Sequence, residues 1–422
     1  MKKQNGFRQT SRRSFLRSAV AAVAALAPGA ALAQASLVDI INAPRRGNWD
    51  DQFDARSSRS GAKTATRVPL TSLDTITYAE RAIMEYQSIV SRGGWPVVPP
   101  TKKLKMGDSE PEVQLLRQRL MVTGDLDDSA GVSNAFDSYV DGAVKKFQSR
   151  HGLPADGVLG AFSYQAMNVS APVRLGQLET NIVRLRAMSG FLGDRYVMVN
   201  IPATQIEAVE NGRVVLRHAA VVGKIDRQTP ILNSKIHEVI LNPYWTSPRS
   251  IIEKDIVPLM RKDPQYLANN SIRLIDGNGN EVAPETIDWN AERAPDLMFR
   301  QDPGKNNAMA STKINFHNEH AVYMHDTPQQ SLFNKLMRFE SSGCVRVQNV
   351  RDLVTWLLKN TPDWNRQQIE GTIASGTNSP IQVADPVPVY FVYFTGWASE
   401  DGVVQFRDDI YQRDGAAELA LR

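Results

Sequence analysis

One cysteine, Cys344, stands among the 422 residues, so no intramolecular disulfide can form and a small disulfide-stapled fold is excluded. Charge of one sign is scarce as well: 49 Lys+Arg against 45 Asp+Glu leave a net +4. Part of that excess is Lys2, Lys3, Arg8, Arg12, Arg13 and Arg17, which stand near the start with no acid among them; the remainder is close to neutral. That balance, with no basic patch interleaved with aromatics, gives no case for nucleic acid as a partner. Long apolar runs are also few. The clearest, Ala19 to Ala33, spans about 15 residues and is broken by Pro28, short of the ~20 that cross a bilayer.

What the N-terminus does carry is a three-part layout. Ser11-Arg12-Arg13-Ser14-Phe15-Leu16-Arg17 precedes the apolar run, which ends in Ala31-Leu32-Ala33 before Gln34. This is the pattern of a cleavable secretory signal, and the paired arginines followed by Phe-Leu resemble a twin-arginine export signal. Residues 1–33 are therefore expected to direct export to a bacterial periplasm. Outside the cytosol an unpaired thiol is open to oxidation and mixed disulfides. Cys344 must then be buried deeply or put to use.

At roughly 100–200 residues per domain, this length suggests two or three domains, and the texture of the chain divides accordingly. Residues 34–66 are polar and rich in Arg, Ser, Asp and Gly, a flexible linker. Within 67–103, Ile76, Ala79, Ile83, Tyr86 and Val90 recur at helical spacing, a scaffold segment closed by Gly93-Gly94-Trp95-Pro96 and Pro99-Pro100. Residues 104–170 form a small module predicted to hold three helices, near Glu112–Thr123, Gly142–His151 and Gly160–Met167, with an acidic loop at Leu126–Phe136. A connecting helix occupies 171–194, with Leu178, Ile182, Leu185 and Met188 on one stripe. From 195 to 422 the pattern turns to strands: Tyr196–Ile201, Val214–Val222, Lys235–Leu241, Lys313–Phe316, Ala321–His325, Val387–Trp397 and Val403–Phe406, the last two expected to return to the sheet. Residues 249–311 interrupt this series with helical pieces and a Gly/Asn turn at 277–280, an insertion placed to act as a lid. A helix is predicted from Val350 to Leu358.

Chemistry concentrates between 323 and 347, where Tyr323-Met324-His325-Asp326-Thr327-Pro328 precedes Ser341-Ser342-Gly343-Cys344-Val345-Arg346-Val347. A thiol is only a few per cent ionised at neutral pH, so a nucleophilic cysteine needs a base, and histidine is the natural one. His325 ends an apolar strand and Cys344 follows a tight turn. Two adjoining strand ends bring such groups together. Gly343 allows close backbone approach to a substrate, and the amides of Gly343 and Cys344 are candidates for binding an oxyanion. Spacing alone leaves a Cys–His pair and a buried structural cysteine evenly matched.

These motifs resemble the YkuD-type L,D-transpeptidases, in which His-Gly or His-Asp precedes Ser-x-Gly-Cys-x-Arg. The likeness extends over roughly 195–410, including Asn242-Pro243-Tyr244-Trp245-x-x-Pro248, Arg300-Gln301-x-Pro303-Gly304-x-x-Asn307-Ala308 and the tail Gly402-x-Val404-x-Phe406-Arg407-x-Asp409-Ile410-Tyr411. Leu104–Gly107, Val113-Gln114-x-Leu116-x-x-Arg119-Leu120 and Val144-x-x-Phe147-Gln148-x-x-His151-Gly152-Leu153-x-x-Asp156-Gly157 resemble the type 1 peptidoglycan-binding domain. The resemblance implies an α+β multidomain chain whose catalytic domain is a β-rich sandwich. It implies a reaction in which Cys344 attacks the diaminopimelate carbonyl of a stem tetrapeptide, releases D-alanine and passes the acyl group to a second stem as a 3→3 cross-link. His325 would act as base and then acid, the Asp326 carbonyl would orient its ring, and Arg346 would orient the loop or a substrate carboxylate. Tyr323, Ser342, Asn307 and Trp245 are the expected substrate-binding residues. Partners implied are stem tetrapeptides, peptidoglycan bound through the helical module, and carbapenems that acylate Cys344; no metal or organic cofactor is implied.

Two departures stand out: Ser342 replaces a frequent His, and Met309-Ala310 replaces a frequent Leu-Gly. Three rival outcomes share the motif: hydrolysis of the same thioester as a carboxypeptidase or endopeptidase, transfer of a lipoprotein to the wall, and a non-catalytic wall-binding role. His317 and His320 form a weak His-x-x-His zinc candidate with no third ligand in sequence.

Overall fold

The computed structural model describes residues 67–188 and 192–415; the signal and linker expected at 1–33 and 34–66 lie outside them. Five helices come first. α1 (Leu73–Ser91) starts in a capping box between Ser72 and Thr75 and ends at Gly93 and Gly94, whose φ values of +93° and +81° turn the chain. α2 (Pro111–Val122), α3 (Ser138–Arg150) and α4 (Ala161–Asn168) build the small module around Leu116, Leu120, Val144 and Phe147. Helices are not its whole frame: two β-bridges, Leu104 with Leu159 and Ser109 with Ala135, close it as well. The acidic loop is gathered on the buried Arg117, which donates to the carbonyls of Ala130, Gly131 and Ala135. α5 (Ala171–Ala187) is longer than the apolar stripe predicted, because Pro172 suits a first helical turn.

The remainder is built on one sheet. β1 (Arg195–Asn200), β2 (Gln205–Glu210), β3 (Arg213–Gly223) and β4 (Leu232–Leu241) precede the insertion; β9 (Thr312–Phe316), β10 (Met324–His325), β11 (Phe339–Ser341), β12 (Val345–Val347) and β13 (Ser379–Val392) follow it. The order is β11-β3-β12-β10-β9-β4-β13-β1-β2, and β2 also pairs with β3. That last pairing closes the ring. The expected sandwich is therefore corrected to a barrel-like sheet. The physical reason is β3, whose residues 213–219 pair with β2 while Ala220 and Val221 pair with β12. A strand that uses both edges leaves no free end to fold into a second layer.

Other corrections follow from the same sheet. Of the strand predicted at Ala321–His325 only Met324–His325 is paired. The predicted final strands do not both return: β13 joins the barrel, while β14 (Gly396–Ala398) and β15 (Val404–Phe406) form a separate hairpin whose Ala398, Val404 and Phe406 pack with Tyr86 and Ile89 of α1. The insertion has its own four-stranded sheet. β5 (Trp245–Thr246), β6 (Ile272–Ile275), β7 (Glu281–Val282) and β8 (Met298–Gln301) run in the order β5-β8-β6-β7. It packs against a helical run with a π-helical centre, Ile252–Ile256, around Phe299 and Leu274. α6 (Val350–Leu357) and α7 (Arg366–Ser375) lie between β12 and β13.

Candidate active site

The site is assembled by the parallel pairing of two short strands. Met324 pairs with Val345, and His325 with Arg346. The Val345 amide donates to the Tyr323 carbonyl at 3.0 Å, which carries the register back to Cys344 beside Tyr323. Side chains alternate along a strand. Met324, Val345 and Val347 are fully buried in the barrel, so Tyr323, His325, Cys344 and Arg346 share the opposite face. β9 adds Lys313 to that face, directly across from His325.

Backbone contacts fix the turn before Cys344. Gly343 has φ +113°, a conformation that other residues rarely adopt. Ser341 Oγ donates to the Cys344 carbonyl at 2.5 Å and accepts from the Gly343 amide at 3.2 Å. The Gly343 carbonyl accepts from Thr229 Oγ1 at 2.8 Å, and Thr229 Oγ1 accepts from the Gly223 amide at 2.9 Å. A methyl group on Gly223 would sit 2.1 Å from the Arg227 carbonyl, so this crossing of backbones requires glycine. Tyr411 closes the frame from the chain's end, donating to the Gly223 carbonyl at 2.5 Å.

His325 Nδ1 lies 2.5 Å from the Asp326 carbonyl oxygen. A carbonyl only accepts, so Nδ1 carries the proton and Nε2 keeps the free lone pair a base needs. Burial, then the Arg346 charge, pushes the His325 pKa down to about 3, so the ring is neutral at physiological pH. The Asp326 carboxylate does not touch the ring; it accepts from Ser311 Oγ at 2.6 Å and the Thr327 amide at 2.8 Å and so braces the preceding turn.

Cys344 is partly buried. Burial pushes its thiol up to about 11, against hydrogen bonds from the Tyr323 backbone and hydroxyl and the charges of Lys313 and Arg346. Cysteine and histidine are thus both neutral at rest. Were this sulfur to attack a carbonyl, the thiol proton would have to leave in the same step. Trp245 Nε1 donates to Tyr323 Oη at 3.1 Å, and Lys313 Nζ lies 4.5 Å from the centre of the Tyr323 ring. Tyr323 is therefore oriented from two sides while it faces the sulfur.

Other expected site residues have protein partners of their own. Asn307 is buried, and its amide is spent within the insertion: Nδ2 donates to the carbonyls of Pro243 and Asp302, and Oδ1 accepts from the Met309 amide. It shapes the loop and presents nothing to a ligand. The Gly343 amide, expected to bind an oxyanion, is directed at Ser341 Oγ; among the described residues no hydrogen bond uses the Cys344 amide. Ser342 is exposed and accepts from Arg227 at 2.9 Å. Arg346 NH1 donates to Gln329 Oε1 at 2.8 Å, while its Nε is buried without a partner. His317 stacks on His237 with ring centres 4.1 Å apart, and among the described residues no group of three metal-ligating side chains occurs.

Lys313, Arg227 and Thr229 were not anticipated. Lys313 alternates with Ile314 on a strand and so reads as a solvent-facing lysine. Arg227 and Thr229 sit in a polar loop whose sequence shows no partner.

Comparison with known proteins adds the following. Residues 194–383 match the YkuD family, "L,D-transpeptidase catalytic domain", and residues 109–167 match "Putative peptidoglycan binding domain". A Haemophilus influenzae protein named "Putative L,D-transpeptidase" is 33% identical over 245 residues, 58% of this chain and 49% of that protein. The chain thus spans about half the length of that relative. Among solved structures, an L,D-transpeptidase from Stackebrandtia nassauensis is 13% identical with a TM-score of 0.24, covering 70% of this chain and 97% of that one. The catalytic domain of an E. faecium L,D-transpeptidase acylated by ertapenem is 12% identical with a TM-score of 0.24, covering 48% of this chain and 100% of that one.

Proposed function

We propose, from the match of residues 194–383 to the L,D-transpeptidase catalytic-domain family and of residues 109–167 to a peptidoglycan-binding one, that the protein forms 3→3 cross-links between peptidoglycan stems through a thioester on Cys344. The observation that carries this reading is the pairing of β10 with β12, which sets Cys344 beside Tyr323 on the face that holds His325 with its Nε2 lone pair free.

The steps balance as follows. Cys344 Sγ attacks the diaminopimelate carbonyl of a donor tetrapeptide as His325 Nε2 takes the thiol proton. The imidazolium returns that proton to the departing D-alanine amine, and the thioester remains. The side-chain amine of a second diaminopimelate then attacks the thioester, losing a proton to His325. The new amide forms, and the Cys344 thiol is regenerated with that proton. The Cys344 amide is the available donor for the tetrahedral oxyanion. Tyr323 Oη, held by Trp245, supports the sulfur as its charge develops, and Arg346 suits a substrate carboxylate.

Three further parts belong to the same reading. The segment 1–33 exports the chain to the periplasm by the twin-arginine route. The module around α2–α4 engages peptidoglycan. A carbapenem, whose strained lactam offers the same acyl carbon, acylates Cys344.

Disaccharide-tetrapeptide incubated with the purified protein and analysed by mass spectrometry tests the reaction. A dimer lacking one D-alanine is expected. Monomeric tripeptide alone would assign the thioester to water and make the protein a carboxypeptidase.

A further inference from the structure

Two cavities that Cys344 does not line, about 290 Å³ and 150 Å³, share Ala203, Thr204, Gln205, Arg338 and Arg407 as walls. The smaller is closed on its other side by His151, Gly152 and Leu153 of the peptidoglycan-binding module, the larger by α1 and the β14–β15 hairpin. Together they make a cleft where module, scaffold and barrel meet.

Its charge is unbalanced. Arg338 donates to the carbonyls of Ala220 and Lys335 and to Thr204 Oγ1, three of a guanidinium's five donors. Burial alone lowers its pKa, to about 10, with no acid acting on it. Arg407 donates only to the Arg150 and Phe406 carbonyls and Gln405 Oε1. Arg174 donates to the Ala166 carbonyl and Gln177 Oε1. The acids on the walls are Asp408 and Glu207, and Glu207 is committed to Arg217 and the Leu70 amide. Arg174 and Arg407 therefore share the single carboxylate of Asp408, and no acid acts on Arg338. Buried cations are ordinarily paired, because desolvating them is costly.

Two buried side chains point to a ligand independently of charge. Arg174 Nε and His218 Nε2 have no hydrogen-bond partner, on residues only 3% and 5% exposed, and each lines one of the cavities. Leu70, Met198 and Trp397 supply apolar wall to the larger cavity. The Arg174 Nε–H is a donor for an anion, whereas His218, kept neutral by burial and donating to the Gln348 backbone, offers Nε2 as an acceptor for a peptide N–H. With an apolar surface beside them, these suit the carboxylate end of a peptide better than an inorganic oxyanion, which has neither an N–H nor an apolar part.

We propose that this cleft is a second binding site, for the carboxylate terminus of a short peptide; resting on the function proposed above, that peptide is a peptidoglycan stem held between module and barrel. Arg338 and Arg407 take the carboxylate, and Met198 and Trp397 take the adjoining side chain.

Hydrogen exchange of the full chain read by mass spectrometry tests it, because segment 202–206 of the cleft reports on a peptide apart from Cys344. The probes are disaccharide-tetrapeptide, its C-terminal amide and inorganic phosphate. Expected is slower exchange across 202–206 and 336–340 with the free acid and not with the amide. Arg338→Gln should weaken that protection about tenfold or more, the scale of losing a charge-assisted hydrogen bond. Should that variant fold poorly, Arg338→Lys serves instead: it keeps the cation but not the guanidinium fork and should weaken the protection as well. Equal protection by the amide, protection by phosphate alone, or none at a peptide concentration that acylates Cys344 overturns the proposal. Protection at the cleft with no acylation of Cys344 would instead contradict the catalytic reading and leave this one standing.

Discussion

Arg227 grips Asp255 with two hydrogen bonds, of 2.6 and 3.1 Å, and with the same guanidinium donates to Ser342 Oγ at 2.9 Å. Asp255 lies in the π-helical segment of the insertion, and Ser342 lies two residues before the thiol. The insertion and the turn before Cys344 are therefore fastened to one side chain. Asp255→Asn should release that hold at a cost of about 1 kcal/mol, since the pair is only partly buried. The expected result is faster hydrogen exchange across residues 250–262 and about fivefold slower acylation of Cys344. Unchanged exchange would mean the insertion is held by its own core around Phe299 instead.

The neutral Cys344–His325 pair makes a pH prediction. With the thiol at about 11 and the imidazole at about 3, neither titrates between pH 6 and 9. Alkylation of Cys344 by iodoacetamide follows the thiolate fraction and should rise about tenfold per pH unit through that range. A plateau reached near pH 6 would show a preformed thiolate–imidazolium pair.

Tyr323→Phe removes the hydroxyl that faces the sulfur and accepts from Trp245. Acylation should slow by about tenfold, with the thiol pushed higher still, while thermal stability changes by about 1 kcal/mol or less. An unaltered rate would assign Tyr323 to packing alone.

Acid should destabilise the fold. Burial lowers the pKa of His325 to about 3, and burial also lowers those of His151 and His218. Unfolded, each takes a proton near pH 6.5. From pH 6.5 downward to about 3 the unfolded chain binds more protons, so stability present above pH 6.5 is lost as pH falls. Asp408 and Asp414, both raised by burial, act in the opposite sense from pH 3.8 upward. Between pH 7 and 5 the histidines of the unfolded chain take up protons, and the melting temperature should drop by about 5 °C or more. A flat profile would contradict the burial of these rings.

Gly223→Ala places a methyl 2.1 Å from the Arg227 carbonyl, where backbone must move. A loss of about 1–3 kcal/mol in stability is expected, together with impaired acylation, because the Thr229 hold on Gly343 moves with it. Denaturant unfolding and the acylation rate are the two readouts.

Much of this was legible from residue patterns. The apolar stripes of α1 and α5 and the β-branched runs of β1, β3, β4 and β9 show plainly, because each buries one continuous face. β2 was not read as a strand. Its Gln-Ile-Glu-Ala-Val-Glu looks polar, yet Glu207 is buried against Arg217, a pairing that exists only once the strands meet. Closure of the barrel depends on that unread strand. The insertion's strands are two to four residues long, too short for a period to appear. The motif pointed to Cys344, His325 and Tyr323, which the pairing of β10 with β12 sets on one face. Asn307 belongs to the same kind of motif but serves its own loop. Lys313 joins the site through cross-strand register, which local sequence does not encode.

The central claim is that Cys344 carries the acyl group. The most direct measurement is the mass of the peptide containing Cys344 after the protein meets disaccharide-tetrapeptide and is quenched in acid. A thioester adduct of the donor stem, less D-alanine, is expected on that peptide, with no adduct or cross-linked product from Cys344→Ala. Cross-linked dimer formed by Cys344→Ala at a rate near that of the unaltered protein would contradict it.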